Sequence, residues 1–217
     1  MLVLAIDTST PAVTAGVATL AGTEVAVLAE RVTLNPRAHG ELITPHVLEA
    51  AREAGVTLRQ LDAIVCGVGP GPFTGLRAGM ATAAALGHGL GIDVHPVCGL
   101  DAIAAGVHAG EPFLVVTDAR RREVYWASYD AAGTRIDGPH VQAPGPLGAA
   151  VAAGDGARLY AEKLGVRVLE PSYPNVQGLV TVAAGALAAD AGPAPLTPLY
   201  LRRPDAVEPG ARKRVTT

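Results

Sequence analysis

Between Val65 and Ala81 the chain reads VCGVGPGPFTGLRAGMA, an apolar run that breaks into a proline- and glycine-packed turn and resumes at helical spacing. This order predicts a strand, a tight loop and a buried helix. Gly67, Gly69, Gly71, Gly75 and Gly79 fall within thirteen residues, and glycine tolerates positive φ and close backbone approach without steric cost. Such a loop either touches a ligand or packs very tightly. A phosphate cradle is the functional reading, because free amides and the dipole at a helix N-terminus favour an anion. The residues support it only in part. A P-loop needs Gly-Lys-Ser/Thr where this chain has Gly75, Leu76 and Arg77, and no Gly-x-Gly-x-x-Gly forms because Thr74 stands three after Gly71. Pro70 and Pro72 remove two amide donors, although Pro72 suits the start of a helix.

Past the loop, Gly75, Gly79, Ala83, Gly87 and Gly91 recur every four residues and form one narrow ridge of small side chains. Glycine inside a helix costs roughly 0.5–1 kcal/mol relative to alanine, so close approach of another element has to offset it. Internal packing and a partner subunit both satisfy that requirement, and the sequence leaves the two open.

With 49% hydrophobic and 17% charged residues, 217 residues are enough for one large domain or two small ones around a buried core. The net charge of −3 argues against a free-standing nucleic-acid binder, so any nucleic-acid role is expected to be indirect. Cys66 and Cys98 lie in apolar surroundings without zinc-site spacing and read as buried reduced thiols. MLVLAIDTST lacks a basic leader, and no segment approaches the ~18 apolar residues of a membrane span, so no membrane association and a cytoplasmic location are expected.

Along the chain, Leu2 to Ile6, Ala12 to Ala18 and Glu24 to Val32 read as a three-stranded meander. A helix follows from Ala38, with Leu42, Ile43, Val47, Leu48 and Ala51 on one face and Gly55 at its end. Ala63 to Val68 is a buried strand, Val94 to Val97 a short one, and Leu100 to His108 a helix that stops at the Gly-Glu-Pro break of Gly110 to Pro112. The second half repeats the theme: strand Phe113 to Val116, then Thr117-Asp118-Ala119-Arg120-Arg121-Arg122, then Glu123 to Tyr129 as a hairpin. Pro139 to Gly148 reads as a loop, Val151 to Gly156 and Arg167 to Leu169 as strands around a helix near Ala157 to Leu164, and Val176 to Ala189 as a last helix. These elements divide into residues 1–108, 109–198 and a tail, 199–217, that packs back on the first unit and is mobile beyond Pro204.

Ile6-Asp7-Thr8 and Val116-Thr117-Asp118 each end a strand with an aspartate before a polar turn. Two such corners at the start of two similarly ordered halves resemble the duplicated actin-like ATPase and sugar-kinase (ASKHA, ribonuclease H-like) architecture, an α/β fold of two domains with mixed sheets flanked by helices. IDTST, His39-Gly40-Glu41-Leu42, GPGPFTGLRAG, DARRREVYWASY, GDGARLY and PLYLRR together resemble the TsaB (YeaZ-like) family, over nearly the whole chain from Leu4 to Arg203. That resemblance implies a non-catalytic, dimerisation subunit of the bacterial machinery for threonylcarbamoyladenosine in tRNA. It implies pairing with a paralogous TsaD-like catalytic subunit and recruitment of a TsaE-like ATPase. Pro72 departs from the serine usual in the family, and it weakens a nucleotide role for the loop.

The catalytic paralogue binds its metal through His-x-x-x-His, which is absent here: His39 and His46 are seven apart, as are His88 and His95. On a helix that is about 10.5 Å, too far for two ligands at ~2.1 Å from one ion. All six histidines, His108 and His140 included, therefore read as surface or cap residues, with no metal site. Ser9, Ser128 and Ser172 lack a nucleophile setting, and Asp155 has no companion in sequence. Asp7 and Asp118 have two readings: acceptors for backbone amides of the following turn, or vestigial groups of a nucleotide cleft with Thr8, Gly69, Gly71 and Arg120. Arg120, Arg121 and Arg122 are a solvated turn or a contact for acidic or phosphate groups, and Arg202-Arg203 and Arg212-Lys213-Arg214 pose the same choice.

The resulting expectation is an interaction protein. His39, Leu42, Ile43, Val47, Phe73, Gly75, Leu76, Gly79, Met80 and Ala83, on the helices near Ala38 to Ala54 and Pro72 to Leu90, form the expected partner face, and a homodimer through that face is a second use of it. No cofactor of its own is expected, with ATP or ADP at most at an interface with partner subunits. The rival reading is a small-molecule kinase or ATPase acting alone, with Gly154-Asp155-Gly156-Ala157 as its adenosine motif. A peptidase, lacking both metal ligands and nucleophile, ranks last.

Overall fold

The computed structural model describes residues 1–202. Strands β1 (Leu2–Asp7), β2 (Ala12–Ala21) and β3 (Glu24–Leu34) form an antiparallel meander, to which β4 (Ala63–Gly67) and β5 (Asp93–Val97) add in parallel, giving the order β3-β2-β1-β4-β5. A second sheet repeats the plan: β6 (Phe113–Asp118), β7 (Val124–Tyr129) and β8 (Arg135–Gln142) are antiparallel, β9 (Val151–Ala153) and β10 (Arg167–Leu169) parallel, in the order β10-β9-β6-β7-β8. The central strands β1 and β6 thus occupy equivalent places, and each ends in an aspartate. This duplicated mixed α/β architecture is of the actin-like type.

Helices α1 (His39–Glu53) and α2 (Phe73–Leu90) cover one face of the first sheet, where Ile43, Val47, Leu76, Met80 and Ala83 join Leu4, Ile6, Val17 and Ile64 in one core. Both helices stop where glycine takes a left-handed conformation, at Gly55 (φ 71°) and Gly91 (φ 69°). The helices that follow each sheet are exchanged. α3 (Gly99–Ala104) lies on the second sheet with Phe113, Val115 and Tyr129. α6 (Val176–Ala188) returns to the open face of the first, packing Val176, Leu179, Val180 and Leu187 against Val3, Ala5 and Val65. α6 begins at Asn175, whose side chain accepts from the Gly178 amide at 2.8 Å, while Glu30 of β3 accepts from the Val176 amide at 2.7 Å. A side chain at Gly178 would run into the Ala102 carbonyl, so the two exchanged helices touch backbone to backbone.

Three local expectations change. The helix expected over Leu100 to His108 ends at Ala104. The one near Ala157 to Leu164 is two short helices, α4 (Asp155–Leu159) and α5 (Ala161–Leu164), broken at Tyr160. Pro139 to Gln142, expected as loop, completes β8, an edge strand where a missing amide costs no ladder bond.

The small-residue ridge of α2 resolves in favour of internal packing. A Cβ on Gly75 would lie 2.9 Å from the Thr8 carbonyl, one on Gly79 would overlap the Thr8 side chain, and one on Gly87 would lie 2.5 Å from Val94. Ile43, Val47, Gly75, Leu76, Gly79, Met80 and Ala83 are all buried within the chain, and His39 with them, so in this fold they are not an outward face. Leu42 and Phe73 are half-buried, and Gly91 is an exposed cap. Leu196 and Leu199 pack against the first core, and the Leu199 amide donates to the Val68 carbonyl at 2.9 Å. The stretch from Arg203, including the Arg212-Lys213-Arg214 group, lies outside the described residues.

The same substitution in α2 is therefore expected to act with opposite signs. Gly79→Ala loses about 1–3 kcal/mol from overpacking against Thr8, whereas Gly89→Ala, with nothing near its Cβ position, gains roughly 0.5–1 kcal/mol. Urea unfolding of both variants reads the two signs, and equal shifts would contradict an inward ridge.

Candidate functional site at the strand-end cleft

The carboxyl ends of parallel strands are where an open α/β sheet leaves its ligand crevice. Here β1, β4, β6 and β9 bring Asp7, Gly67, Asp118 and Gly154 to such ends. Asp7 is buried, and its carboxylate accepts from the Ser9 amide at 2.9 Å and from the Ser9 hydroxyl at 2.9–3.0 Å. A side chain on Gly67 would overlap that carboxylate, and one on Gly71 would overlap the Ser9 carbonyl, so the glycine loop lies directly on the β1–β2 turn. Gly69 (φ 93°) closes the loop's other side, its carbonyl accepting from the Gly99 amide at 2.7 Å. Burial pushes the Asp7 carboxyl up to about 6 against the opposing bonds from Ser9.

Thr8 ties this turn to α2. Its hydroxyl donates to the Gly75 carbonyl at 2.7 Å and accepts from the Gly79 amide at 3.0 Å, standing between two backbone groups one helical turn apart. His39 Nε2 meets the Thr10 carbonyl at 2.8 Å. The β1–β2 turn is thereby tied to both helices of the first sheet.

The second half uses its aspartates in the same way. Asp118 accepts from the Arg120 amide at 3.1 Å and faces the Arg120 guanidinium at 3.6 Å, while Asp155 at the start of α4 accepts from the Asp118 amide at 3.2 Å. Burial pushes the Asp155 carboxyl up to about 6. Asp155 thus has the companion that its sequence surroundings did not show. In both halves the strand-end aspartate accepts the amide two residues on, the turn-acceptor role.

Pro72 and Phe73 divide what remains of the cleft. One side is a cavity of about 300 Å³ lined by Thr8, Thr10, His39, Thr74 and Arg120. The other, about 130 Å³ between Gly71, Phe73, Arg120, Tyr125, Tyr200 and Arg202, is below the several hundred cubic ångströms of an ordinary small-molecule site. Tyr200 closes it edge-on against Phe73 (4.6 Å between centroids) and accepts from Arg77 Nε at 2.6 Å, with the Arg77 guanidinium 5.5 and 5.4 Å from the two rings. Arg202 donates to the Ala119 carbonyl at 3.2 Å and pairs with Glu123 at 3.0 Å, bridging tail to second sheet. The contact of Tyr200 with Arg77 was not legible in the sequence, since the two lie 123 positions apart, and Ser9, weighed there only as a nucleophile, serves as the donor to Asp7.

The histidine expectation is corrected in part. His39, His46 and His95 are buried and His88, His108 and His140 exposed. His46 Nε2 meets the Thr33 hydroxyl at 2.9 Å across α1 and β3, and burial pulls its pKa down, with Glu49 opposing and Arg31 adding to the shift. Cys66 is buried and Cys98 half-buried, both unpaired, and burial raises both thiols, Cys98 to about 11. Among the described residues no group of three or more His, Cys, Asp or Glu could hold a metal ion, and no helix is long and apolar enough to cross a membrane.

A duplicated actin-like fold whose cleft is narrowed by its own loop and tail defines the class. Residues 27–165 match the family model described as TsaD, tRNA N6-adenosine threonylcarbamoyltransferase. The chain belongs to that family and is TsaB-like within it. A Mycobacterium tuberculosis protein, named only as uncharacterized, is 56% identical over 94% of this chain and 93% of its own length. The TsaB protein of Haemophilus influenzae, named for tRNA threonylcarbamoyladenosine biosynthesis, is 36% identical over 63% of this chain and 57% of its own. The solved structure of YeaZ from Pseudomonas aeruginosa superposes with a TM-score of 0.75 at 29% identity, covering 92% of this chain and all of that one.

Asp7→Asn tests the cost of ionising this buried acceptor. The folded pKa lies above the ordinary 3.8, so Asp7 contributes stability fully below pH ~4 that is lost as pH rises through about 6. Asparagine keeps the acceptor and removes the ionisation cost. The variant's stability relative to wild type is expected to rise by on the order of 2–3 kcal/mol from pH 4 to 7, measured by urea unfolding at each pH. His46 has the opposite slope, its depressed pKa favouring the fold above pH ~6.5, and cancels in the comparison. A flat difference would show that Asp7 ionises at no cost in the fold.

Proposed function

We propose that this chain is the non-catalytic, TsaB-like partner that binds and supports a TsaD-like catalytic subunit in threonylcarbamoyl transfer to the adenosine next to the tRNA anticodon. The observation that carries this reading is the expenditure of the cleft's polar groups on internal bonds, Asp7 on Ser9 and Thr8 on α2, while Phe73, Tyr200 and Arg202 narrow one side of it and leave a cavity of about 300 Å³ beside Thr8 on the other. A chain that needed the cleft for its own phosphoryl chemistry would keep the Asp7 carboxylate open toward a ligand, not buried against Ser9. Family membership supplies the reaction; the narrowed cleft favours a supporting role in it.

Docking through the first-sheet helices remains the reading of choice, transferred to the surface these helices leave outside. On α2 that surface is Ala81, Ala84, Ala85 and His88, with no charged side chain between Arg77 and the helix end, and on α1 it includes Leu48, 53% exposed. Alanines let another helix approach closely, and a smooth face about two turns long without Asp, Glu, Lys or Arg is better covered than solvated. A second copy of the chain would cover it when the catalytic partner is absent. A TsaE-like ATPase belongs to the same assembly, and any ATP or ADP would sit at an interface rather than beside Asp7. An ATPase acting alone is the rival reading, and turnover lost on Asp7→Asn would restore it.

Ala84→Arg is expected to weaken the complex with the TsaD-like subunit at least tenfold while leaving the circular dichroism spectrum unchanged, since Ala84 is exposed. Light scattering on mixtures measures this. A complex of unchanged affinity would remove α2 from the interface.

A further inference from the structure

The turn between β6 and β7 carries Arg120, Arg121 and Arg122 in three successive left-handed conformations, φ 63°, 52° and 61°. Each costs a non-glycine residue roughly 1–2 kcal/mol, and the turn is held by paired backbone bonds, Ala119 amide to Glu123 carbonyl and Glu123 amide to Arg120 carbonyl, both 3.0 Å. Against this turn stand α4 and α5: a side chain on Gly156 would meet the Thr117 backbone at 2.6 Å, and Asp155 accepts from the Asp118 amide. Tyr160, at the break between the two helices, has Lys163 Nζ 5.8 Å from its ring centroid and lies within the field of Arg122. Arg122 and Lys163 are exposed and form no ion pair among the described residues.

The acidic groups facing this edge do not neutralise it. Asp118 has a side chain only 12% exposed and is spent on Arg120, Glu123 is paired with Arg202, Asp155 is held by the turn, and Glu162 alone among them is fully on the surface. The chain's net charge of −3 is thus an average that conceals one cationic edge. An arginine and a lysine beside a half-buried tyrosine suit a ligand that presents separated phosphates together with flat bases, because the cations meet the phosphates and the ring gives a base a stacking face.

We infer that the β6–β7 turn and the α4–α5 edge, through Arg122, Lys163 and Tyr160, form a contact surface for the sugar–phosphate backbone of RNA. Identifying that RNA as the tRNA being modified rests on the function proposed above. Few phosphates are engaged, so binding by the chain alone is weak and steeply salt-dependent, and its effect is to orient RNA already held by the assembly.

The test is anisotropy of a labelled tRNA titrated with the purified chain across a range of salt, for wild type, for R122E/K163E, and for R37E/R59E, which changes the net charge equally at exposed positions of the first half. The expected result is a loss of at least tenfold for R122E/K163E with a salt slope reduced by roughly 1–2, and affinity near wild type for R37E/R59E. Equal losses in both variants, or no salt-dependent binding by wild type, would overturn the inference. So would polyglutamate displacing tRNA at equal charge concentration, which would mark the edge as a site for an acidic protein. Light scattering with the TsaD-like subunit separates the two readings: R122E/K163E is expected to form the heteromer normally, and a wild-type chain that forms none sinks the proposed function without touching the RNA measurement.

Discussion

The hydroxyl of Thr8 stands inside the backbone ladder of α2, bonded to the Gly75 carbonyl and the Gly79 amide, and much of the first half is arranged around that insertion. It requires glycine at position 79, because any side chain there would occupy the hydroxyl's place. It requires the loop ahead of the helix to lie flat on the β1–β2 turn, which in turn requires glycine at 67 and 71. The glycine spacing that looks like a phosphate cradle is thus the imprint of a neighbouring turn. The Asp7 carboxylate is bonded to Ser9 and the Gly79 amide to Thr8, so both groups are engaged by the chain itself.

The second organising feature is the exchange of α3 and α6. Each follows one sheet and covers part of the other, and they meet through the Gly178 backbone and the Ala102 carbonyl. The two sheets are thereby locked across a common helical layer on one side. On the opposite side Phe73, Tyr200 and Arg202 join them where an open cleft would otherwise lie. Any hinge-like opening of the two sheets would have to break contacts on both sides.

Much of the fold was legible in the sequence. Period-two and period-four apolar patterns place the meander, α1, α2 and the last helix, and the paired strand-end aspartates disclose the duplication, because both are local signals of burial and turn chemistry. Where the reading went astray, the deciding partner was distant. Tyr160 breaks a helix that composition would continue, and Pro139 is admitted into β8 by its edge position. Ile43, Val47, Leu76 and Met80 were read as a docking face although the same periodicity describes a core face, and periodicity alone cannot say which side holds the protein and which the solvent.

By itself the sequence determined the class of fold, the positions of the two strand-end turns and the family, since these depend on residue types at short spacing. Only the tertiary structure decided that the glycine ridge faces inward, that Asp155 supports Asp118, and that Tyr200 and Arg202 narrow the cleft. Each of those facts joins residues tens of positions apart, and it follows from which surfaces meet once the two sheets exchange their helices.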